Sequence, residues 1–121
     1  MRVTVPGLPI SKNRALRYGN GRTYRTDESH TYEATVALCG RQAMRGRPPL
    51  TGRLRVYLRV VATNRSRLPD ADNCAKAPLD GLRGIVYDDD RQIDDLRIVR
   101  SVLKGAEPCV EIDIEELGGA C

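Results

Sequence analysis

Between residues 53 and 60 the chain alternates strictly. Leu54, Val56, Leu58 and Val60 occupy every second position, with Arg53, Arg55, Tyr57 and Arg59 between them. Successive side chains of a strand point to opposite faces, so this stretch dictates a β-strand with one core face and one basic face.

Other segments are read against that strand. Val3 and Val5 alternate with polar neighbours and predict a strand over 2–6, ended by Pro6, Gly7 and Pro9. Residues 10–26 read as an irregular basic loop. Tyr32, Val36, Cys39, Ala43 and Met44 recur at helical spacing, which predicts a helix from about 27 to 45. Thr26 or Asp27 would cap it, and Gly46, Pro48 and Pro49 would stop it. A second helix is expected over about 72–83, with Pro78 awkward inside it. Ile85-Val86-Tyr87 reads as a short buried strand before an acidic turn at 88–92. Residues 95–103 and 109–115 read as a closing pair of strands. The order β-α-β-α-β-β-β gives the α/β (α+β) class, a small mixed sheet with two main helices. A length of 121 residues is expected to hold one domain, 1–121.

The core of such a domain must be aliphatic, because the chain has no Phe, no Trp and only 5 Tyr. No apolar run approaches the roughly 18–20 residues of a membrane helix. Met1–Pro9 lacks the apolar region of a secretory signal, so a cytoplasmic location is expected. Cys39, Cys74, Cys109 and Cys121 are too widely spaced for a zinc knuckle or redox motif and read as reduced thiols. Cys39 and Cys109 are expected to pack as small apolar residues.

Charge is divided along the chain. Residues 1–67 hold 14 Lys/Arg and 3 Asp/Glu, net +11; residues 68–121 hold 6 and 13, net −7. A basic body suits a polyanion, because Lys and Arg release the counterions condensed on nucleic acid. Acids oppose that. Two carboxylates about 4 Å apart repel by about 1–4 kcal/mol, and a divalent cation turns that repulsion into affinity. A basic body with a carboxylate knot therefore points to metal-dependent chemistry on phosphates.

The knot has a pattern. Asp72, Lys76 and Asp80 are four apart and share a helix face, Asp70 lies just upstream, and Asp90 follows on the turn after the buried run. Carboxylates can hold Mg²⁺, which lowers the pKa of a bound water, while a nearby ammonium steadies charge on phosphorus. Plainer readings stand beside this one. Asp72, Lys76 and Asp80 also fit surface ion pairs of roughly 0.3–0.5 kcal/mol each. Asp70 or Asp72 also fits a helix cap. A calcium loop does not fit, since its glycine position is Ala75 and its closing Glu position is Gly81.

The run Asp70-x-Asp72-Asn73-x-x-Lys76-x-x-x-Asp80, followed by Asp89-Asp90-x-Gln92, resembles the RusA family of Holliday junction resolvases, found in bacteria and their prophages. Asn13-Arg14, Gly21-Arg22-Thr23 and Asp95-x-Arg97-Ile98 are also similar to that family. The resemblance implies a Mg²⁺-dependent (or Mn²⁺-dependent) homodimeric endonuclease that cuts four-way DNA junctions by paired symmetric nicks in recombination and repair. It implies that Asp70, Asp72 and Asp90 are catalytic metal ligands, with Asp89 on the metal side, and that Lys76 is the catalytic lysine. Asp80 would be a supporting acid, and Asn73 and Gln92 positioning groups. Phosphate contacts are expected from Lys12, Asn13, Arg14, Arg17 and Arg22, and from Arg53, Arg55 and Arg59 on the basic strand face. Two other readings remain open at this stage: a non-catalytic DNA-binding protein of the same fold, and a metal-dependent nuclease acting on flaps or forks.

Overall fold

The computed structural model of the protein describes residues 1–9, 16–19, 22–25 and 27–118. Among these, the elements are β1 (Arg2–Pro6), β2 (Leu16–Gly19), β3 (Arg22–Arg25), α1 (Asp27–Met44), β4 (Leu54–Ala62), α2 (Ala71–Leu82), β5 (Ile93–Val102) and β6 (Cys109–Glu116). Four strands form a mixed sheet in the order β1-β6-β4-β5. β4 runs antiparallel to β6 and parallel to β5, and β1 is antiparallel to β6.

The strict alternation places β4 inside the sheet. Val56, Leu58 and Val60 stand beside Ile114, Ile112 and Val110 of β6, and those last two stand beside Val3 and Val5 of β1. All eight are buried. Tyr32, Val36 and Met44 of α1, with Cys74, Leu79 and Leu82 of α2, complete this core. The opposite sheet face carries charge, paired across strands. Arg2 binds Asp113 and Glu111, Arg55 binds Asp95 and Glu115, and Arg59 reaches Glu111. Exposed pairs of this kind contribute little to stability, because water and salt screen them.

Two glycines set the distance between the helices. A Cβ at Gly81 would lie 2.7 Å from Val36 Cβ, and one at Gly40 would lie 2.7 Å from Leu82 Cδ2. Each helix presents a bare backbone spot to an apolar side chain of the other, so α2 sits close on α1.

Three expectations change. The segment read as an irregular loop over 10–26 contains the hairpin β2–β3, with Gly19 paired to Arg22. Asn20-Gly21, which separates the two strands in sequence, lies outside the described residues and is the dipeptide that two-residue hairpins favour. Ile85-Val86-Tyr87 is not a strand: it is a turn with single bridges from Tyr87 to Leu50 and Arg83. The run is too short to ladder, although Val86 and Tyr87 are fully buried. β5 and β6 are not neighbours, because β4 lies between them. Among the described cysteines, Cys39 packs half-buried against the core, Cys109 is half-buried and Cys74 is fully buried, and all three are unpaired.

Candidate active site

Asp70 occupies the N-cap of α2 with extended backbone (φ −61°, ψ 156°), yet its side chain accepts no capping hydrogen bond. The carboxylate is exposed and has no hydrogen-bond or ion-pair partner among the described residues. Asp at an N-cap ordinarily bonds the free N–H groups of the first turn, so Asp70 forgoes its usual structural task. Asp72 lies in that first turn, also exposed, where the helix dipole favours a negative charge. Asn73 follows, half-buried. Beneath the cap, Arg100 of β5 donates from Nη1 to the carbonyl of Pro69 at 3.3 Å. The Cys74 thiol beside them is pushed up to about 11 by burial, lowered somewhat by Arg100 and raised by Asp70.

One helical turn on, Lys76 Nζ lies 3.8 Å from Asp80 Oδ2. The ion-pair reading of the four-residue spacing is therefore realised for Lys76 with Asp80. Lys76 is 77% exposed and keeps most of its ammonium in water.

The acidic turn is held by Gln92. Its Oε1 accepts the N–H groups of Asp88 at 2.8 Å and Asp89 at 2.9 Å. Its Nε2 donates to the carbonyls of Leu50 at 2.8 Å and Gly52 at 3.0 Å. It is the buried polar residue of the described structure, and every bonding position of its amide is used. Asp89 Oδ1 in turn accepts from Arg91 N–H at 3.1 Å, which closes a capping box on the single 3₁₀ turn Asp90–Gln92. Asp90 itself is exposed. The Tyr87 hydroxyl donates to the carbonyl of Leu79, which ties this turn to the end of α2. Burial pushes the Tyr87 phenol up, and the nearby carboxylates of Asp90 and Asp80 add to the rise.

On α2, Asp70 and Asp72 stand at the start and Asp80 near the end, and the Tyr87 phenol is within electrostatic reach of both Asp80 and Asp90. Asp70 and Asp80 are ten residues apart, roughly 15 Å along the axis at the helical rise.

A family model described as Endodeoxyribonuclease RusA matches residues 6–115. The chain belongs to the RusA family. That family comprises endonucleases that resolve Holliday junctions, so membership brings nuclease action on branched DNA. No curated protein matches the chain.

Within a RusA-family chain, the implied metal can be tested against the donors. Among the described residues, no three His, Cys, Asp or Glu side chains are placed to hold one metal ion. Asp89 is engaged in its cap, and Asp70, Asp72 and Asp90 are exposed. The donor set as placed does not fit a three-carboxylate metal centre, and no step below is routed through an ion.

The cations expected to meet DNA divide as well. Lys12, Asn13 and Arg14 lie outside the described residues, and Arg17 and Arg22 fall on the paired strands of the hairpin. Arg53, Arg55 and Arg59 all face acids. Arg53 binds Asp94 and the Arg91 carbonyl, Arg55 binds Asp95, and Arg59 reaches Glu111. The sheet face is closer to neutral than its arginine count suggests. Arg65 and Arg67 had no place in the sequence-based set. They lie exposed on the 3₁₀ turn Arg65–Arg67, three to five residues before Asp70, with no carboxylate partner among the described residues. Their nearness to Asp70-x-Asp72 in sequence is the signal that could have found them. No helix among the described residues is long and apolar enough to cross a membrane.

Proposed function

We propose that this chain resolves four-way DNA junctions by paired symmetric nicks, as a homodimer, in recombination and repair. Asp70, Asp72 and Asp90 act at the reacting phosphodiester, and Lys76 stabilises its developing charge. Asp80 holds Lys76 in place, while Asn73, Asp89 and Gln92 position the acids. The observation that carries this reading is the uncommitted Asp70 carboxylate at the head of α2, within a chain matched to the family from residue 6 to 115. A residue serving only as a cap would use its carboxylate on the helix.

DNA enters from the side of Arg65 and Arg67, whose guanidinium groups have no acid partner among the described residues to leave before meeting phosphate. Arg53, Arg55 and Arg59 must first give up carboxylate partners, so they contribute less. Dependence on Mg²⁺, or Mn²⁺ in its place, belongs to this reading on the family resemblance alone.

The test uses a synthetic four-way junction, a flap and a linear duplex, each incubated with the protein in Mg²⁺ and in EDTA. Cleavage of the junction in Mg²⁺ alone is expected. Cleavage confined to the flap would favour a fork or flap nuclease, and binding without cleavage would favour a non-catalytic DNA-binding role. Robust turnover in EDTA would contradict the cofactor.

A further inference from the structure

The sheet has two edges, and they are treated differently. β1 has five residues, ends on Pro6 and is clamped by Arg2 to Asp113 and Glu111. β5 is the other edge, ten residues long with no buried residue and no proline. Leu96, Val99 and Val102 on it, and Leu103 just past it, are 41, 36, 39 and 45% exposed. A long edge strand with apolar side chains and unpaired backbone groups is a template for another strand.

We infer that β5 pairs antiparallel with β5 of a second copy, around a twofold axis at Val99, to make one continuous eight-stranded sheet. This gives a surface to the homodimer of the proposed function and rests on that reading for the number of copies.

The strand's own sequence favours a second copy as its partner. Asp94 and Asp95 precede Arg97 and Arg100, with Lys104 just beyond. Antiparallel self-pairing turns the acidic end of each strand toward the basic end of the other, where parallel pairing would stack like on like. The register follows from the side chains. A twofold axis normal to a sheet sets residues of the same face opposite one another. Centred on Val99, it places Leu96 opposite Val102, Val99 opposite itself and Arg97 opposite Ser101. Leu96 and Val102 then cover one another and Val99 covers itself, while half-buried Ile98 meets Arg100, whose guanidinium is held at the Pro69 carbonyl. Centring on Arg97 or Arg100 would set guanidinium against guanidinium, centring on Ile98 would set both exposed Leu96 against Arg100 and exposed Val99 against Arg97, and centring on Leu96 would leave Val102 uncovered.

The axis also reaches the acids. Arg100, next to Val99, holds the Pro69 carbonyl at 3.3 Å, one residue before Asp70. A β5 pair therefore relates the two Asp70–Asp72 sets by the symmetry of the interface, as cuts on two opposed strands require.

The experiment uses the full chain. Sedimentation compares wild type, Val99→Asp and Val99→Ile, and Val99→Cys is oxidised and its disulfide-linked peptides identified by mass spectrometry. Wild type and Val99→Ile should sediment as dimers, and Val99→Cys should link residue 99 to residue 99. Val99→Asp, which sets two carboxylates together at the axis, should dissociate roughly a hundredfold more readily with its circular dichroism unchanged. A dimeric wild type whose Val99→Asp variant stays dimeric, or whose Val99→Cys variant links elsewhere, overturns the β5 interface and leaves the homodimer standing. A monomeric wild type overturns both. Junction cleavage, read separately, reports on the nuclease assignment.

Discussion

Gln92 and Asp89 hold each other in a reciprocal cap: the Gln92 amide oxygen accepts the Asp89 N–H at 2.9 Å, and the Asp89 carboxylate opens the 3₁₀ turn on which Gln92 sits. The other end of the same amide is fixed to the Leu50 and Gly52 carbonyls just before β4. Asp90 lies between the two residues in sequence, so its position is set by a side chain anchored some forty residues away.

Replacing Gln92 by Leu should therefore do two things. It leaves two carbonyls and two N–H groups without partners, which should cost about 2–4 kcal/mol of stability. Junction cleavage should fall further than junction binding, because the acidic turn is displaced while the basic surface is not. Urea unfolding and a parallel gel-shift and cleavage assay check both. A Gln92→Leu protein of wild-type stability would show that the turn holds its shape without the amide.

Tyr32 offers the opposite case. Its ring is buried in the core and its hydroxyl has no partner among the described residues. A buried hydroxyl without a hydrogen bond keeps its desolvation cost. Tyr32→Phe should leave stability unchanged or raise it by up to about 1 kcal/mol. A clear loss of thermal stability would mean that the hydroxyl is satisfied.

Much of this was readable in the sequence, for physical reasons that differ by segment. β4 was fixed by its alternation, because a strand covered on one face cannot slip by one residue without exposing its core. α2 began where Asp70 stands in the chain. The β2–β3 hairpin does not show in the sequence because its four-residue strands, Leu16–Gly19 and Arg22–Arg25, carry too few apolar residues to display a two-residue period. The separation of β5 from β6 was not readable, since pairing between distant strands depends on topology rather than local pattern. The arginine partners were hidden for the same reason. Arg55 meets Asp95 and Glu115 only through the registers of β4 with β5 and β6. At the site, the sequence pattern singled out Asp70, Asp72, Lys76 and Asp90, but not the four-bonded burial of Gln92.

The cations should separate in DNA binding. Arg65→Ala and Arg67→Ala should each weaken junction affinity and reduce the salt slope by about one phosphate contact. Arg55→Ala and Arg59→Ala, which release guanidinium groups already paired with carboxylates, should change it less. Titrations at several salt concentrations measure this, and a larger effect for the sheet pair would place the DNA on the open face.

An acid titration tests the open face itself. The Arg2 guanidinium, hydrogen-bonded to Asp113, holds that carboxyl below its ordinary value. A depressed carboxyl contributes stability that is present above its unfolded pKa and is lost as the pH falls through the folded one. Arg2→Ala should therefore lower stability at neutral pH and lose its effect in strong acid, with Asp113 titrating nearer its ordinary value by NMR. An Asp113 titration unmoved by Arg2→Ala would contradict the pairing.

The most direct test of the central claim compares wild type with Asp70→Asn on one end-labelled four-way junction in Mg²⁺, reading binding and cleavage from the same samples. Wild type should yield paired nicks on opposed strands. Asp70→Asn should keep its fold, because that carboxylate caps nothing, should bind at least as tightly with one negative charge removed, and should cut at least about a thousandfold more slowly. Cleavage by Asp70→Asn at the wild-type rate, or lost cleavage that follows a lost fold, would contradict the account.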